Sequence, residues 1–370
     1  MKCSFRWVLP GAFLAVMMFA LPTTGEQGPS TSPRANNGKK WRMGYLEGGV
    51  FYSYGPYLAR IIEGLMEFGW IEKAALPALE PNGDARPFWT WLAREARSDY
   101  LEFVPDAYWS CNWDDKQRRE IKTQVLERLK NRRDIDLMFA LGTWAGQDLA
   151  NNEHSVPTMV VSSSNPVQSG IIKSAEDSGL DHLHASLSPK RYERQVRLFH
   201  AATGFKRLGL AYEDSVDGRT YAALEDVERV AKEGHFQLVR CYAPGDLPDR
   251  QEAYRNLLKC HEELAPQIDA LYLTIHNGNE LKNLPNLLAP LDKCKVLTFG
   301  QRSSEEVKHG VLMSLTTAST PFMGLFEAQT IARVLNGEKP RSLVQTYDDP
   351  TTRVALNMAV AQRLDYDPPG

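Results

Sequence analysis

The sequence is poor in the features that mark several whole classes of protein. Five cysteines in 370 residues are too few for a disulfide scaffold, and no CxxC pair suggests a zinc ribbon. Charge of one sign is not in excess. The 43 Lys and Arg stand against 46 Asp and Glu, a net of −3, which removes the electrostatic case for a nucleic-acid binder. There is no G-x-S-x-G, no P-loop and no G-x-G-x-x-G after a strand. Cys260-His261-Glu262-Glu263 approaches the zinc-protease pattern H-E-x-x-H, but Ala265 stands where the second histidine is needed. His182 and His184, two apart, share one face of a strand and lack an identifiable third ligand, so they read as ordinary histidines. No nucleophile beside a base is signalled, and nothing calls for a metal or a cofactor. A composition of 43% hydrophobic and 24% charged residues is that of a globular chain, and the length suits about two domains.

Long apolar runs are also scarce, with one exception at the start. Lys2 and Arg6 precede an uncharged, mostly apolar stretch from Trp7 to Pro22. It is shorter than the roughly 20 apolar residues of a bilayer-spanning helix, and it reads as a secretory signal peptide over 1–25, cleaved near Gly25. Cys3 precedes the apolar run and is not placed to carry a lipid. Residues 26–40 hold no large apolar side chain and read as a polar linker. The expectation is an exported, periplasmic chain. Four cysteines follow the leader: Cys111, Cys241, Cys260 and Cys294. An oxidising compartment permits a bridge among the last three, and buried free thiols are the alternative.

From residue 42 onward, strand and helix patterns alternate. Short apolar runs at 42–46, 100–104, 136–141 and 156–162 read as strands, and 56–69 carries Leu58, Ile61, Ile62, Leu65 and Met66 at helical spacing. The series restarts near residue 170. Strands are expected at 207–212, 236–239, 270–275, 295–299 and 311–315, separated by helical stripes at 219–234, 250–264 and 280–291. Such alternation implies an α/β fold of two doubly wound parallel-sheet lobes with helices on both faces. Residues 71–98, with Pro77, Pro81, Pro87, Trp89 and Trp91, break the beat and read as an insert.

Parallel sheets bind ligands beyond the carboxyl ends of their strands. Those ends carry Glu47 to Tyr54, then Gly142-Thr143-Trp144, Ser163-Ser164-Asn165, Tyr212-Glu213-Asp214-Ser215, His276-Asn277 and Phe299-Gly300-Gln301. Any one of these tips is an ordinary turn or helix cap. Together they read as a cleft for a small polar solute, with Tyr52 and Tyr54 the best stacking side chains and Trp144 a further one. Trp109 and Trp113 are expected to pack the insert onto the first lobe.

Collinear segments then point to a family. Gly44-Tyr45-Leu46-Glu47-Gly48-Gly49 leads to a helix ending Phe68-Gly69-Trp70, and Asp136 to Gln147 is similar to a D-x-x-x-x-x-x-T-x-x-A segment. Val156-Pro157 through Ser164-Asn165-Pro166 to Ile172 resembles a P-V…S-D-P-x-x-x-G-L-V segment. Gly310-Val311, Leu335 to Pro340 and Leu356 to Ala361 follow in order. Over about 42–369 the chain resembles ABC-transporter substrate-binding proteins of the tryptophan/tyrosine type. The resemblance implies a type I periplasmic-binding fold, a venus flytrap whose two lobes are joined by a multi-strand hinge. Its partners would be a small ligand and the permease and ATPase of an importer at the membrane. It also implies a first lobe of 41–165 plus 302–345 and a second of 166–301 plus 346–370. Thr143, Ser164 and Asn165 would line one wall, and Tyr212, Asp214, Ser215, His276 and Asn277 the other. Two positions depart from the pattern: Asn165 and His276 stand where the family tends to have Asp. Glu47, Glu213 and Asp214 are candidates to compensate. A sensor that reports the ligand to a kinase or chemoreceptor shares this chemistry, and an exported α/β enzyme acting in the same cleft is the rival from another class.

Overall fold

The computed structural model describes residues 30–80, 82–317, 320–348 and 352–368. The leader expected over 1–25 lies outside them. From Thr31 onward the chain forms one compact unit built on two sheets. The strands are β1 (Trp41–Glu47), β2 (Leu101–Ser110), β3 (Leu137–Leu141), β4 (Thr158–Val161), β5 (Leu183–Ala185), β6 (Arg207–Tyr212), β7 (Gln237–Tyr242), β8 (Ala270–Leu273), β9 (Leu297–Gly300), β10 (Met313–Thr317) and β11 (Thr352–Leu356). The helices are α1 (Tyr54–Glu67), α2 (Arg86–Arg94), α3 (Asp115–Glu127), α4 (Gly142–Leu149), α5 (Arg191–Thr203), α6 (Val216–Tyr221), α7 (Leu224–Gly234), α8 (Arg250–Leu264), α9 (Leu284–Lys293), α10 (Ser304–Lys308), α11 (Thr320–Leu335) and α12 (Met358–Arg363).

The first sheet has the order β2-β1-β3-β4-β5 and is parallel throughout. Its central strand β3, Leu-Met-Phe-Ala-Leu, is buried at every position, as a strand covered by helices on both faces must be. The second sheet has the order β11-β10-β9-β8-β6-β7, parallel except for the antiparallel pair β10–β11. Apolar clusters cover both faces of this sheet, one around Phe199, Phe205, Tyr272 and Phe299 and one around Leu257, Leu271, Leu287 and Leu291.

The chain changes lobes as many times as the linear reading expects, but at other points. That reading set the first changeover at 165/166 and returned residues 302–345 to the first lobe. The pairing of β5 with β4 keeps the first sheet going to Ala185, and the pairing of β10 with β9 puts that strand in the second sheet. The physical reason is strand length. β5 has three residues, one of them a buried histidine, so it carries no periodic signal. α11 then returns to the first lobe and packs on α1. A Cβ on Gly64 would lie 2.6 Å from the Ala328 Cβ and 2.9 Å from the Gly324 carbonyl, so the two helices meet across small residues. The chain thus crosses between sheets three times, after β5, after β10 and before β11. Two of the crossings pair with each other: Leu187 N–H donates to Gln345 O at 2.9 Å and Tyr347 N–H to Leu187 O at 3.0 Å.

Two segments read as peripheral are integral. Within the insert, α2 buries Phe88, Trp89 and Leu92, and the Trp89 indole donates to Val104 O at 3.1 Å. In the segment read as a linker, Trp70 and Trp41 donate their indole N–H groups to Thr31 O (2.9 Å) and Arg34 O (2.8 Å). Residues 31–34 are therefore fixed to the first lobe.

Of the cysteines, Cys241 on edge strand β7 is bonded to Cys260 on α8, while Cys111 is buried and free and Cys294 exposed and free. The bond closes a loop with a sequence separation of 19 residues. A loop of that size restricts the unfolded chain by about 3 kcal/mol. The double substitution Cys241→Ser, Cys260→Ser should lower the melting temperature by roughly 5–10 °C. Thermal unfolding followed by circular dichroism checks this, and reductant should reproduce the shift in the wild type.

Candidate functional site

The carboxyl ends of the two sheets face one another across a cleft of about 990 Å³, counting the solvent at its mouth. On the first lobe the wall begins with the turn from β1 into α1. Gly48 and Gly49 lie flush against aromatic rings: a Cβ on Gly49 would sit 2.4 Å from Trp113 Cδ1, and one on Gly48 3.0 Å from Trp144 Cβ. Trp113 locks the turn in place, its indole donating to Val50 O at 3.0 Å. Gly142, at φ +84° where β3 ends, admits the Tyr54 ring; a Cβ there would overlap the Tyr54 hydroxyl at 1.8 Å. Two pairs of hydroxyls continue the wall, Ser53 with Ser162 and Thr143 with Ser163, each 3.3 Å apart.

The second lobe supplies Tyr221, Asp246, Ile275, His276 and Asn277. His276 is buried, and both ring nitrogens are engaged by the fold. Nδ1 accepts from Gly278 N–H at 2.9 Å, so Nε2 carries the proton donated to Ala243 O at 3.0 Å. Burial holds its pKa below the usual imidazole value, and the ring is neutral. Asn277 donates to Asp246 Oδ1 at 3.0 Å and accepts from Arg250 at 3.3 Å. Asp246 titrates far above an ordinary carboxyl, at about 8, because it is buried and because Glu213 and Asp217 stand near it.

The hinge end holds two arginines of different standing. Arg302 lies over the Tyr52 ring, 4.0 Å from its centre, and its charge is met by buried Glu306 at 3.1 Å. Arg191, the first residue of α5, has no carboxylate within ion-pair distance among the described residues. It is faced by Tyr192, Tyr57, Tyr347 and Tyr52, and its one hydrogen bond is a 3.5 Å contact with Arg302 O.

Of the residues singled out in the sequence, Tyr52, Tyr54, Thr143, Ser164, His276 and Asn277 line the cleft. Six do not. Glu47 is fully buried beneath the wall, where it accepts from the Tyr45 hydroxyl at 2.8 Å. Trp144 lies behind Trp113 in edge-to-face contact at 5.4 Å, with the Arg118 guanidinium 4.5 Å above its ring. Asn165 uses its side chain to cap the turn at Gln168 N–H, 3.1 Å away. Tyr212 and Asp214 point to an outer depression between α6 and β7, where Tyr212 packs on Tyr242 and Asp214 pairs with Arg219 at 2.7 Å. Ser215 caps α6, accepting from Gly218 N–H at 2.9 Å.

The residues missed have local causes. Trp113 follows β2, which runs on to Ser110 through the Pro105 irregularity, six residues past the expected end. Tyr221 ends α6, which the stripe over 219–234 merged with α7; the left-handed Ala223 (φ +52°) separates the two helices and turns Tyr221 inward. Arg191 belongs to a hinge crossing, not to a strand tip.

Direct bonds join the lobes across the mouth. Arg250 donates to Val50 O at 3.0 Å, Gln147 to Asp217 at 2.8 Å and Gln168 to Glu225 at 2.7 Å. Two parallel-sheet lobes, three crossings and a polar cleft between them define a type I periplasmic-binding protein. The chain belongs to the ABC transporter substrate binding protein family, whose model matches residues 112–367. Solved structures similar to it include an ABC domain in complex with L-Trp from Streptococcus pneumoniae (18% identity, TM-score 0.65, covering 88% of this chain and 95% of that one). A conserved domain protein from Vibrio cholerae is similar at 16% identity and TM-score 0.64, over 90% and 96% of the two chains. The ligand-free, open form of a substrate binding protein with adhesive properties from Clostridium difficile is similar at 16% and 0.55, over 89% and 96%. No curated protein matches the sequence. Among the described residues, no helix is long and apolar enough to cross a membrane.

Because Arg250 bonds both walls, Arg250→Ala removes about 1.5–3 kcal/mol of closed-state preference. Small-angle scattering should show a larger radius of gyration, and amide exchange should quicken over 48–54.

Proposed function

We propose that the chain captures a small solute with an anionic group and an aromatic or apolar body, closes its lobes over it, and delivers it to the permease of an ABC importer outside the cytoplasm. The leader read in residues 1–25 accounts for export. The observation that carries this reading is Arg191. A guanidinium in the cleft wall with no carboxylate partner of its own is placed to take a bound carboxylate in a bidentate, charge-assisted pair. The rings of Tyr52, Tyr54 and Trp113 supply flat apolar area nearby, and the hydroxyls of Ser162, Ser163, Ser164 and Thr143 supply orientation. Closure follows from the ligand touching both walls, which gives it a higher affinity for the closed form than for the open one.

Aromatic and aliphatic carboxylates should raise the melting temperature with dose, as linkage requires, and should perturb the fluorescence of Trp113. Arg191→Gln should weaken their binding by about 2–5 kcal/mol, roughly 30-fold or more, with an unchanged circular dichroism spectrum. Wild-type affinity in that variant would remove Arg191 as the anchor.

A further inference from the structure

We propose that Glu327 makes the hinge responsive to pH: its carboxyl must be neutral for the lobes to close, and its ionisation favours the open form. This rests on lobe closure as the working motion and adds a control that lies outside the ligand's own contacts. Glu327 stands on α11, one turn beyond Met323, which lines the cleft. It is fully buried and does not line the cleft itself. Its neighbours Ser186 and Tyr347 do, so it lies directly behind the wall at the hinge end. Both neighbours belong to crossings between the sheets. Ser186 follows β5, and Tyr347 donates its backbone N–H to Leu187 O where two crossings pair.

The surroundings give an ionised carboxyl little support. Among the described residues, the one side chain that reaches it for a hydrogen bond is the Ser186 hydroxyl, and no cation pairs with it. From β5, His184 packs on the neighbouring Phe326 with 6.2 Å between ring centres. Its Nε2 donates to Val344 O at 3.0 Å, and burial holds its pKa at about 4, so the ring is neutral above that pH. From the crossing at 345–347, Gln345 spends its amide on Ser174 O and Ala175 O, each at 3.2 Å, and the Tyr347 hydroxyl is pushed up by burial. Arg191 on α5 also faces Tyr347 and forms no ion pair with Glu327. On α1, packed along α11, Arg60 and Glu63 pair with each other at 2.6 Å, and on α11 itself Arg333 pairs with Glu338 at 2.6 Å. Burial therefore raises the Glu327 carboxyl from an ordinary 4.5 to about 7. Opening turns the crossings, Ser186 and Tyr347 turn with them, and water reaches the ionised group. The closed form thus holds an extra proton between about pH 4.5 and pH 7, and the ratio of open to closed molecules rises by up to about tenfold per pH unit across that window and levels off above it.

Small-angle scattering of the ligand-free protein at pH 5 and pH 7.5 tests this with no solute present. The wild type should show a larger radius of gyration at pH 7.5, and amide exchange over 184–189 and 345–347, corrected for its intrinsic pH dependence, should quicken there. Glu327→Gln, uncharged at both pH values, should keep the smaller radius at pH 7.5. Asp246, a second buried acid with a raised pKa, is present in both proteins, so the difference between them reports Glu327. Glu327→Ala, also uncharged, should scatter like the Gln variant and guards against a packing fault in it. A carboxyl whose pKa is raised by folding makes stability fall as pH rises from about 4.5 to 7. The Gln variant should therefore melt above wild type at pH 7.5, with the gap narrowing at pH 5, which shows that it folds. A wild-type radius that does not change with pH, or a change that persists undiminished in both variants, would overturn the hinge role. A melting difference without a scattering difference would overturn it too, leaving Glu327 a buried acid with no part in closure. Failure of small solutes to bind, with the scattering result intact, would overturn the capture reading alone.

Discussion

The structure depends on one geometric constraint: parallel strands deliver all their polar tips to the same end of a sheet. Within a lobe the tips satisfy one another only in part, as in the Ser53–Ser162 and Thr143–Ser163 pairs, because each belongs to a separate strand and feeds a separate helix. Setting two such ends face to face, with the chain crossing three times between them, makes a space walled by hydroxyls, amides and aromatic rings. The buried β3 and the apolar clusters around Phe299 and Leu287 hold the frame. The cleft is what the frame leaves between the loops.

Within that space, charge distinguishes support from function. Arg302 with Glu306 and Arg118 with Asp148 are buried or nearly buried pairs whose partners are internal. Their electrostatics close on themselves, and they stiffen the hinge and the first lobe. Arg191 differs because no carboxylate lies within ion-pair distance of it among the described residues. A folded chain tolerates such a group only where something from outside completes it, or where stability is spent on selectivity. Its placement at the hinge end gives the cleft wall a cationic group there. That charge comes from this chain's own sequence, since relatives at 16–18% identity share the fold without fixing the ligand.

Much of the architecture is legible in the linear pattern because a buried parallel strand writes itself as a short unbroken apolar run. Residues 137–141 and 207–212 are of that kind. What the pattern cannot carry is which sheet a short strand joins. β5 is too short to signal at all, and β10 reads the same whichever lobe receives it. For the site, strand tips were the right places to look, but a tip has two sides. Tyr54 and Thr143 face inward, whereas Tyr212, Asp214 and Ser215 complete an outer surface and a helix cap. Arg191 arises from tertiary arrangement alone. An arginine opening a helix looks like a surface residue until the partner it lacks is known.

The turn over residues 48–54 shows how sensing and support are divided. From its own lobe it is held by the Trp113 indole on Val50, by Gly142 under Tyr54, and by the insert, whose Gly83 approaches the backbone of Phe51 and Tyr52 so closely that a Cβ would clash at 2.3 Å. Gly83 O also accepts Gly55 N–H at 3.3 Å, at the start of α1. From the other side it is touched by Arg250 on Val50 O and by Arg302 over the Tyr52 ring. Opening the lobes must part the Arg250 contact but leaves the Trp113, Gly142 and Gly83 contacts intact, because all three move with the turn. The insert thus has a physical role despite standing outside the family pattern: it keeps the turn rigid, so that lobe separation is felt at a few cross-cleft bonds and is not absorbed by loop flexing.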